Sequence, residues 1–162
     1  MMVLLAMASI PVNAQIHTTQ EHKIRVNTLT SSLAHPWSLA FLPDGRMLVT
    51  ERGGGLRVIS KDFKLDAQPV GGVPAVAAVG QGGLMDVVPH PKFAENSLVY
   101  LSYSAGDRNG IGTEVARGVL KGHQLENVQV IFRMAPKLRT GYHFGSRMVF
   151  DRDGYLFITL GD

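Results

Sequence analysis

Apolar and polar positions repeat in a ten-residue pattern at three places in the chain. The three segments are FLPDGRMLVT from Phe41, FAENSLVYLS from Phe93 and FDRDGYLFIT from Phe150, which start 52 and 57 residues apart. Each has Asp or Asn three residues after the phenylalanine, then Gly or Ser, then a mostly apolar run ending in Thr or Ser. Asp-Gly favours a tight hairpin turn because both central residues can take positive φ. The pattern therefore predicts strand, tight turn and strand in each copy.

The segments around the first copy extend this unit into a meander. PWSLAF precedes the turn, and LRVIS follows ERGGG as a third short strand, with no convincing amphipathic helix between the strands. Short strands with a period of about 50 residues predict an all-β fold, specifically a β-propeller with four-stranded blades. A β-sandwich would share the strands and turns, but it would not predict one pattern at three nearly equal intervals. Because propellers close with about four to eight blades, we expect about the first three blades of a longer protein.

Composition and charge exclude several classes of function. The chain has 162 residues, 45% of them hydrophobic, which is a globular composition. Its 16 Lys and Arg against 13 Asp and Glu are scattered singly and give a net charge of +3, so we expect no nucleic-acid partner. The absence of cysteine excludes disulfides, zinc-thiolate sites and thiol catalysis.

The first residues have the features of a secretory signal. MMVLLAMASIPVNA begins with an apolar run, contains no acid and ends in small groups at the spacing that signal peptidase accepts. We therefore predict a signal peptide at residues 1–14 and a periplasmic or secreted mature chain from residue 15 to residue 162. The alternative is an N-terminal strand or buried helix. The run is too short to cross a bilayer and no other stretch approaches that length, so we expect no membrane span.

Two glycine-rich segments carry the candidate site residues. Gln81 lies in GQGGLMDVV and His143 in TGYHFGSRMVF, and each polar side chain stands among glycines that allow close backbone approach. The alternative is that the glycines serve bulges and turns while both side chains satisfy backbone groups. Arg147 could bind a carboxylate or lock neighbouring loops. The DRDG sequence at Asp151 begins like a calcium loop but lacks its later acids, so no metal ligand is predicted in this chain.

Several motifs, taken in order, resemble the start of the soluble quinoprotein aldose sugar dehydrogenases of the glucose/sorbosone dehydrogenase family. They are HPWSLAFLPDGRMLVTERGGGLRVI, GQGGLMDVVPHPKF, VYLSYS and PKLRTGYHFGSRMVFDRDGYLFITLGD. The resemblance implies a six-bladed propeller holding pyrroloquinoline quinone (PQQ) and calcium, which oxidises aldose sugars at the C1 hydroxyl to the lactone. It also implies that His143 is the general base while hydride passes to the quinone, and that Gln81 contacts the bound quinone.

The chain departs from the family pattern at two positions. Tyr142 stands where relatives usually carry Asn or Asp, and Ser146 replaces the usual second glycine of the histidine motif. The family's calcium ligands and the basic residues for the quinone carboxylates are expected downstream of residue 162, so these 162 residues alone are expected to be inactive. Nothing in the sequence identifies the electron acceptor. The alternative function is a non-catalytic propeller that serves as a binding module.

Overall fold

The structure is a computed structural model that describes residues 15–161. These residues form two compact units, residues 15–31 and 32–161. The first unit is an antiparallel hairpin of β1 (Gln15–Thr18) and β2 (Lys23–Val26), whose residues are all exposed. The predicted signal peptide, residues 1–14, lies outside the described residues.

The second unit contains three antiparallel sheets made of consecutive strands. The first sheet is formed by β3 (Pro36–Phe41), β4 (Met47–Glu51) and β5 (Leu56–Ile59). The second sheet is formed by β6 (Leu84–Pro89), β7 (Leu98–Asp107), β8 (Gly110–Lys121) and β9 (Gln124–Arg133). The third sheet is formed by β10 (Met148–Phe150) and β11 (Leu156–Ile158). The prediction of an all-β fold is confirmed, since one four-residue helix is the only helix among the described residues.

Two of the three repeats form the tight turn that the sequence predicts. In the first, Gly45 has φ of 87° and the Asp44 Oδ1 atom accepts a hydrogen bond of 3.0 Å from the Arg46 amide. In the third, Gly154 has φ of 88° and the Asp151 Oδ1 atom accepts bonds from two amides within the turn. Asp151 therefore caps its own turn. Both turns follow from local chemistry, because glycine tolerates positive φ and aspartate accepts from nearby backbone amides.

The prediction of a tight turn is wrong for the second repeat. There the chain leaves β6 at Pro89 and forms a single helical turn, α1 (Phe93–Asn96), before β7 begins. Ser97 ends this helix with φ of 52°, and the Asn96 Oδ1 atom accepts from the Leu98 amide at 3.0 Å. Asn-Ser replaces Asp-Gly in this copy. This longer connection places Phe93 in the helix, where its ring is buried, and not at the end of a strand.

The main hydrophobic core joins the first two sheets. Leu48 and Leu56 from the first sheet and Leu84 and Val99 from the second are all 0% exposed and belong to one cluster. A second cluster packs Met148 of β10 against the second sheet. Since burying apolar side chains is the main favourable term in folding, these clusters hold the first sheet against the second and the third against the second. The strands that lead from the glycine-rich segments are thereby held close together.

Candidate active site

The two glycine-rich segments come together in the structure. Gly80–Gly83 precedes β6, and residues 139–147 precede β10. The Gln81 amide donates to the Gly141 carbonyl at 2.7 Å, and the Gln81 Oε1 atom accepts from the His143 amide at 3.1 Å. Both side chains are exposed. The two residues singled out from sequence, 62 positions apart, therefore form one surface feature.

Close backbone approach explains the glycines in this feature. Gly80 has φ of 58°, and a Cβ atom at this position would overlap the Gly141 carbonyl. His143 itself has φ of 64°, in the left-handed region that residues other than glycine rarely adopt. Such conformations persist only where surrounding contacts hold them, and they cluster at functional sites. The hydrogen bond from the His143 amide to Gln81 is one of those contacts.

The orientation of the Gln81 amide leaves one group for a ligand. Its oxygen accepts from His143. Its nitrogen donates to no protein atom within residues 15–161. A side-chain amide carries two N–H donors. The exposed Gln81 Nε2 atom can therefore donate to a bound molecule without breaking a hydrogen bond of the protein.

A buried carboxylate, Asp86, lies in the strand that follows Gln81. The side chain is 2% exposed and accepts from the Ser38 hydroxyl at 2.6 Å and the Met148 amide at 2.8 Å. It also accepts from the Val87 amide at 3.1 Å and from the Arg147 Nη1 atom at 3.0 Å. Ser38 belongs to the first sheet and Met148 to the third. One carboxylate thus joins all three sheets, and its role was not predicted from the sequence.

Arg147 has a structural partner for its guanidinium. Besides the ion pair with Asp86, its Cζ atom lies 4.9 Å from the centre of the Trp37 ring. Charge-assisted and cation–π contacts of this kind favour a fixed guanidinium position. Of the two roles open from sequence, the observed contacts correspond to the locking of neighbouring loops. Arg147 is nevertheless 61% exposed, so its charge also faces solvent.

Matching register shifts in two strands place Asp86 and its partner Ser38. The register shifts between Pro36 and Leu39 in β3, and again between Leu84 and Val87 in β6. Each shift contains a residue whose amide donates to a hydroxyl on the neighbouring strand: Ser38 to Thr50 at 3.0 Å and Asp86 to Ser102 at 2.9 Å. β-Bulges redirect side chains in this way. A single acid inside the apolar run LMDVV is the sequence signal that would have identified Asp86.

Buried hydroxyls hold the backbone on the other side of His143. The Thr113 hydroxyl donates to the Phe144 carbonyl at 2.6 Å, and the Ser102 hydroxyl donates to the Ser146 carbonyl at 2.7 Å. The Ser146 amide donates to the Thr159 carbonyl at 2.7 Å. The backbone next to the histidine is therefore fixed by the second sheet and by the chain after β11.

A second polar cluster anchors the segment before Gly141. The Lys137 Nζ atom lies 2.9 Å from Glu114 Oε1, and the Tyr103 hydroxyl donates to Glu114 Oε2 at 3.2 Å. Burial, together with the Glu114 carboxylate, raises the pKa of Tyr103 to about 12. The next residue, Leu138, exchanges backbone hydrogen bonds with Ile111. The chain is therefore tied to β8 shortly before it reaches the candidate site.

The structure shows no metal centre in the part of the chain that it describes. No group of three or more His, Cys, Asp or Glu side chains within residues 15–161 is arranged to hold an ion. No helix in the same residues is long and apolar enough to cross a membrane.

Comparisons with known proteins place the chain in a family. A sequence model of the glucose/sorbosone dehydrogenases matches residues 33–162. An aldose sugar dehydrogenase, YliI of Escherichia coli, is 50% identical over 143 residues, which cover 86% of this chain and 38% of the relative. This chain therefore spans well under half the length of that relative.

Solved structures show the same relationship. The soluble aldose sugar dehydrogenase of Escherichia coli in its apo form superimposes with a TM-score of 0.78 at 46% identity, covering 92% of this chain and 40% of that one. The PQQ-bound aldose sugar dehydrogenase of Streptomyces coelicolor gives a TM-score of 0.72 at 26% identity, covering 94% and 43%. The predicted propeller fold, of which the chain holds about three blades, is confirmed. This chain therefore belongs to the glucose/sorbosone dehydrogenase family.

Proposed function

We propose that this chain is the N-terminal part of a PQQ-dependent dehydrogenase that oxidises aldose sugars at the C1 hydroxyl to the lactone. The observation that carries the proposal is the exposed pairing of Gln81 with His143 on a surface of closely approaching glycines. The family membership and the likeness to a PQQ-bound dehydrogenase support it. Because the chain covers about two fifths of its relatives, the activity belongs to a longer protein.

The donors present in the chain fit part of the cofactor's binding site. PQQ offers carbonyl and carboxylate oxygens, and the Gln81 Nε2 atom is an exposed donor without a protein acceptor in the described residues. The close contact of Gly80 with Gly141 brings the two glycine-rich segments together and places Gln81 beside His143. We assign the calcium ligands and the basic residues for the quinone carboxylates to the length of the relatives that this chain does not cover.

His143 acts as the general base in this proposal. An imidazole can accept a proton near neutral pH, and here it takes the proton of the C1 hydroxyl. As that proton leaves, a C1–O double bond forms and the C1–H bond breaks with both of its electrons. The bound quinone supplies the two-electron acceptor for this hydride. The protein's contribution is to hold the sugar hydroxyl against the base.

The test is His143→Ala in the full-length protein that carries this segment, reconstituted with PQQ and calcium. A positioned base contributes a factor of about 100 to 10,000 in rate, so aldose-dependent dye reduction per bound PQQ should fall by that factor. The matched control is His123→Ala, because His123 is also exposed and pairs with Asp66 at 2.9 Å away from the site. Normal turnover per bound PQQ in folded His143→Ala would refute the catalytic role. Wild-type protein that binds no PQQ would instead favour the non-catalytic binding module.

We also propose that the protein is exported, with residues 1–14 removed. The support is the apolar, acid-free start of the sequence and the small residues at 12 and 14. N-terminal sequencing of protein recovered from an exporting host should find Gln15 first. A mature chain that still begins at Met1 would contradict this proposal.

A further inference from the structure

One arginine outside the Gln81–His143 pair binds the backbone on both sides of Gln81. Arg52 follows β4 and is half-buried. Its Nε atom donates to the Gly82 carbonyl at 3.0 Å, and its Nη2 atom donates to the Gly80 carbonyl at 2.5 Å. A longer contact of 3.4 Å joins Nη2 to the Ala78 carbonyl. The guanidinium therefore binds the carbonyl groups of both glycines that flank Gln81.

The backbone of Arg52 is itself held on two sides. Its amide donates to the His35 carbonyl at 3.0 Å, and its carbonyl accepts from the Leu84 amide at 3.0 Å. Leu84 is the first residue of β6, and it is 0% exposed. Arg52 thus starts from a rigid position between the first and second sheets. A side chain anchored in this way can fix the loop that it contacts.

The glycine at position 83 is matched to this arginine. Gly83 has φ of 155°, and a Cβ atom there would overlap the Arg52 carbonyl oxygen and lie 2.7 Å from Arg52 Cγ. The absent side chain leaves room for both the backbone and the side-chain stem of Arg52. Among residues 15–161 no carboxylate pairs with the guanidinium, so its donors are directed to carbonyl oxygens. The GQGG sequence therefore supplies both the ligand contact and the space for the side chain that supports it.

We infer that Arg52 is a positioning residue, which orients Gln81 for cofactor binding and, through the Gln81–His143 hydrogen bond, holds the backbone of the base. The inference rests on the proposed function. The planar fork of arginine donates in several fixed directions at once, whereas lysine offers a compact point charge. Arg52→Lys keeps the positive charge and loses the fork.

The first test measures PQQ affinity and turnover in the full-length protein. Arg52→Lys should raise the Kd for PQQ about tenfold, while turnover at saturating PQQ stays within about threefold of wild type. If Arg52 acts through Gln81, the effects of the two residues are not additive. The double variant Arg52→Lys with Gln81→Ala should therefore bind PQQ within about twofold of Gln81→Ala alone. Fully additive losses of PQQ affinity in the double variant would overturn the inference.

The matched control is a second half-buried arginine, which lies in the strand that follows Arg52. Arg57 donates to the Asp66 carbonyl at 2.8 Å and pairs with Glu51 at 3.4 Å, without a contact to the Gln81 loop. Arg57→Lys should lower the melting temperature and leave the Kd for PQQ unchanged. An equal rise in Kd for both variants would mean that Arg52 acts only through general stability.

The second test uses no cofactor and separates this inference from the proposed function. Hydrogen exchange of the amides of Gln81 and Gly82, which donate to Gly141 and Val79, should become about tenfold faster in Arg52→Lys than in wild type. Should Arg52→Lys unfold, Arg52→Gln is the second variant, with the same expected direction. Unchanged exchange would overturn the role of Arg52. Wild-type protein that fails to bind PQQ would overturn the proposed function, while the exchange result still decides whether Arg52 holds the loop.

Discussion

Two polar regions follow one another along the segment from Gln81 to Asp86, and they differ in how their hydrogen bonds are used. At Asp86 the carboxylate is buried and accepts from four protein groups. At Gln81 the amide is exposed, and its oxygen is bonded while its nitrogen donates to no protein atom in the described chain. Both regions bind the same partner segment, residues 139–148. The buried polar group therefore holds the sheets together, whereas the exposed one is available to a ligand.

The largest expected effect in stability comes from removing the buried carboxylate. Asp86→Ala leaves the Met148 and Val87 amides and the Ser38 hydroxyl without their acceptor in a buried site. Buried groups that lose a partner cost about 1–3 kcal/mol each before relaxation, so we expect a loss of about 3–4 kcal/mol. Urea unfolding of the full-length protein measures it.

Asp44→Ala is the matched control for that variant. Asp44 also pairs with an arginine, Arg46, at 2.7 Å, but its side chain is 48% exposed. Exposed ion pairs contribute about 0–1 kcal/mol, and the exposed turn bond from the Arg46 amide contributes about 0.5–1.5 kcal/mol. The loss should therefore stay below about 2 kcal/mol. An equal loss for both variants would mean that the burial of Asp86 is not the cause.

A pH titration tests the second buried cluster. Because burial, with Glu114, raises the pKa of Tyr103 to about 12, folding favours the neutral phenol. This stabilisation is fully present below pH 10, the ordinary tyrosine value, and it is lost as pH rises from 10 through 12. Two pKa units correspond to roughly 3 kcal/mol, which sets the order of magnitude of the loss. Unfolding free energies at pH 9 and 11.5 should differ more in wild type than in Tyr103→Phe. An equal change in unfolding free energy between these two pH values in wild type and Tyr103→Phe would contradict the raised pKa of Tyr103.

Removing the exposed Gln81 amide should lower the affinity for PQQ more than the stability of the fold. Asp86→Ala should mainly lower the stability. Gln81→Ala should weaken PQQ binding about tenfold, or about 1.4 kcal/mol, because the contact with the quinone exists in both ground and transition states. Turnover at saturating PQQ should fall by less than about threefold, because the Thr113 and Ser102 hydroxyls still hold the backbone beside His143. The unfolding free energy should change by less than about 1 kcal/mol, since the lost bonds are exposed. Gln129→Ala removes an exposed amide on β9. It should change neither the affinity for PQQ nor the unfolding free energy. Unaltered PQQ affinity in Gln81→Ala would place the cofactor elsewhere.

The parts of the molecule that sequence could predict are those encoded locally. The turns at Asp44 and Asp153 follow from two adjacent residues, so the pattern identified them. The second repeat departed because Asn96 and Ser97 do not carry the same turn preference. Gln81 and His143 were singled out individually, but their hydrogen bond depends on how distant strands pack. Asp86 was missed for the same reason, because its distant partners Ser38 and Met148 come from the first and third sheets.

The smallest expected effect is a gain in stability at Ser146. This residue is 0% exposed with φ of 80°, and its hydroxyl has no hydrogen-bond partner in the described structure. Ser146→Gly removes both the left-handed strain, about 1–2 kcal/mol, and the unsatisfied hydroxyl, while the extra freedom of glycine in the unfolded chain costs about 0.5–1 kcal/mol. We expect a net gain of about 1 kcal/mol in urea unfolding. Ser146→Ala removes the hydroxyl and keeps the strain, so it should gain less than the glycine variant. A glycine variant less stable than wild type would show that the hydroxyl is satisfied in solution, and Ser146 would then belong with the fully bonded groups around Asp86.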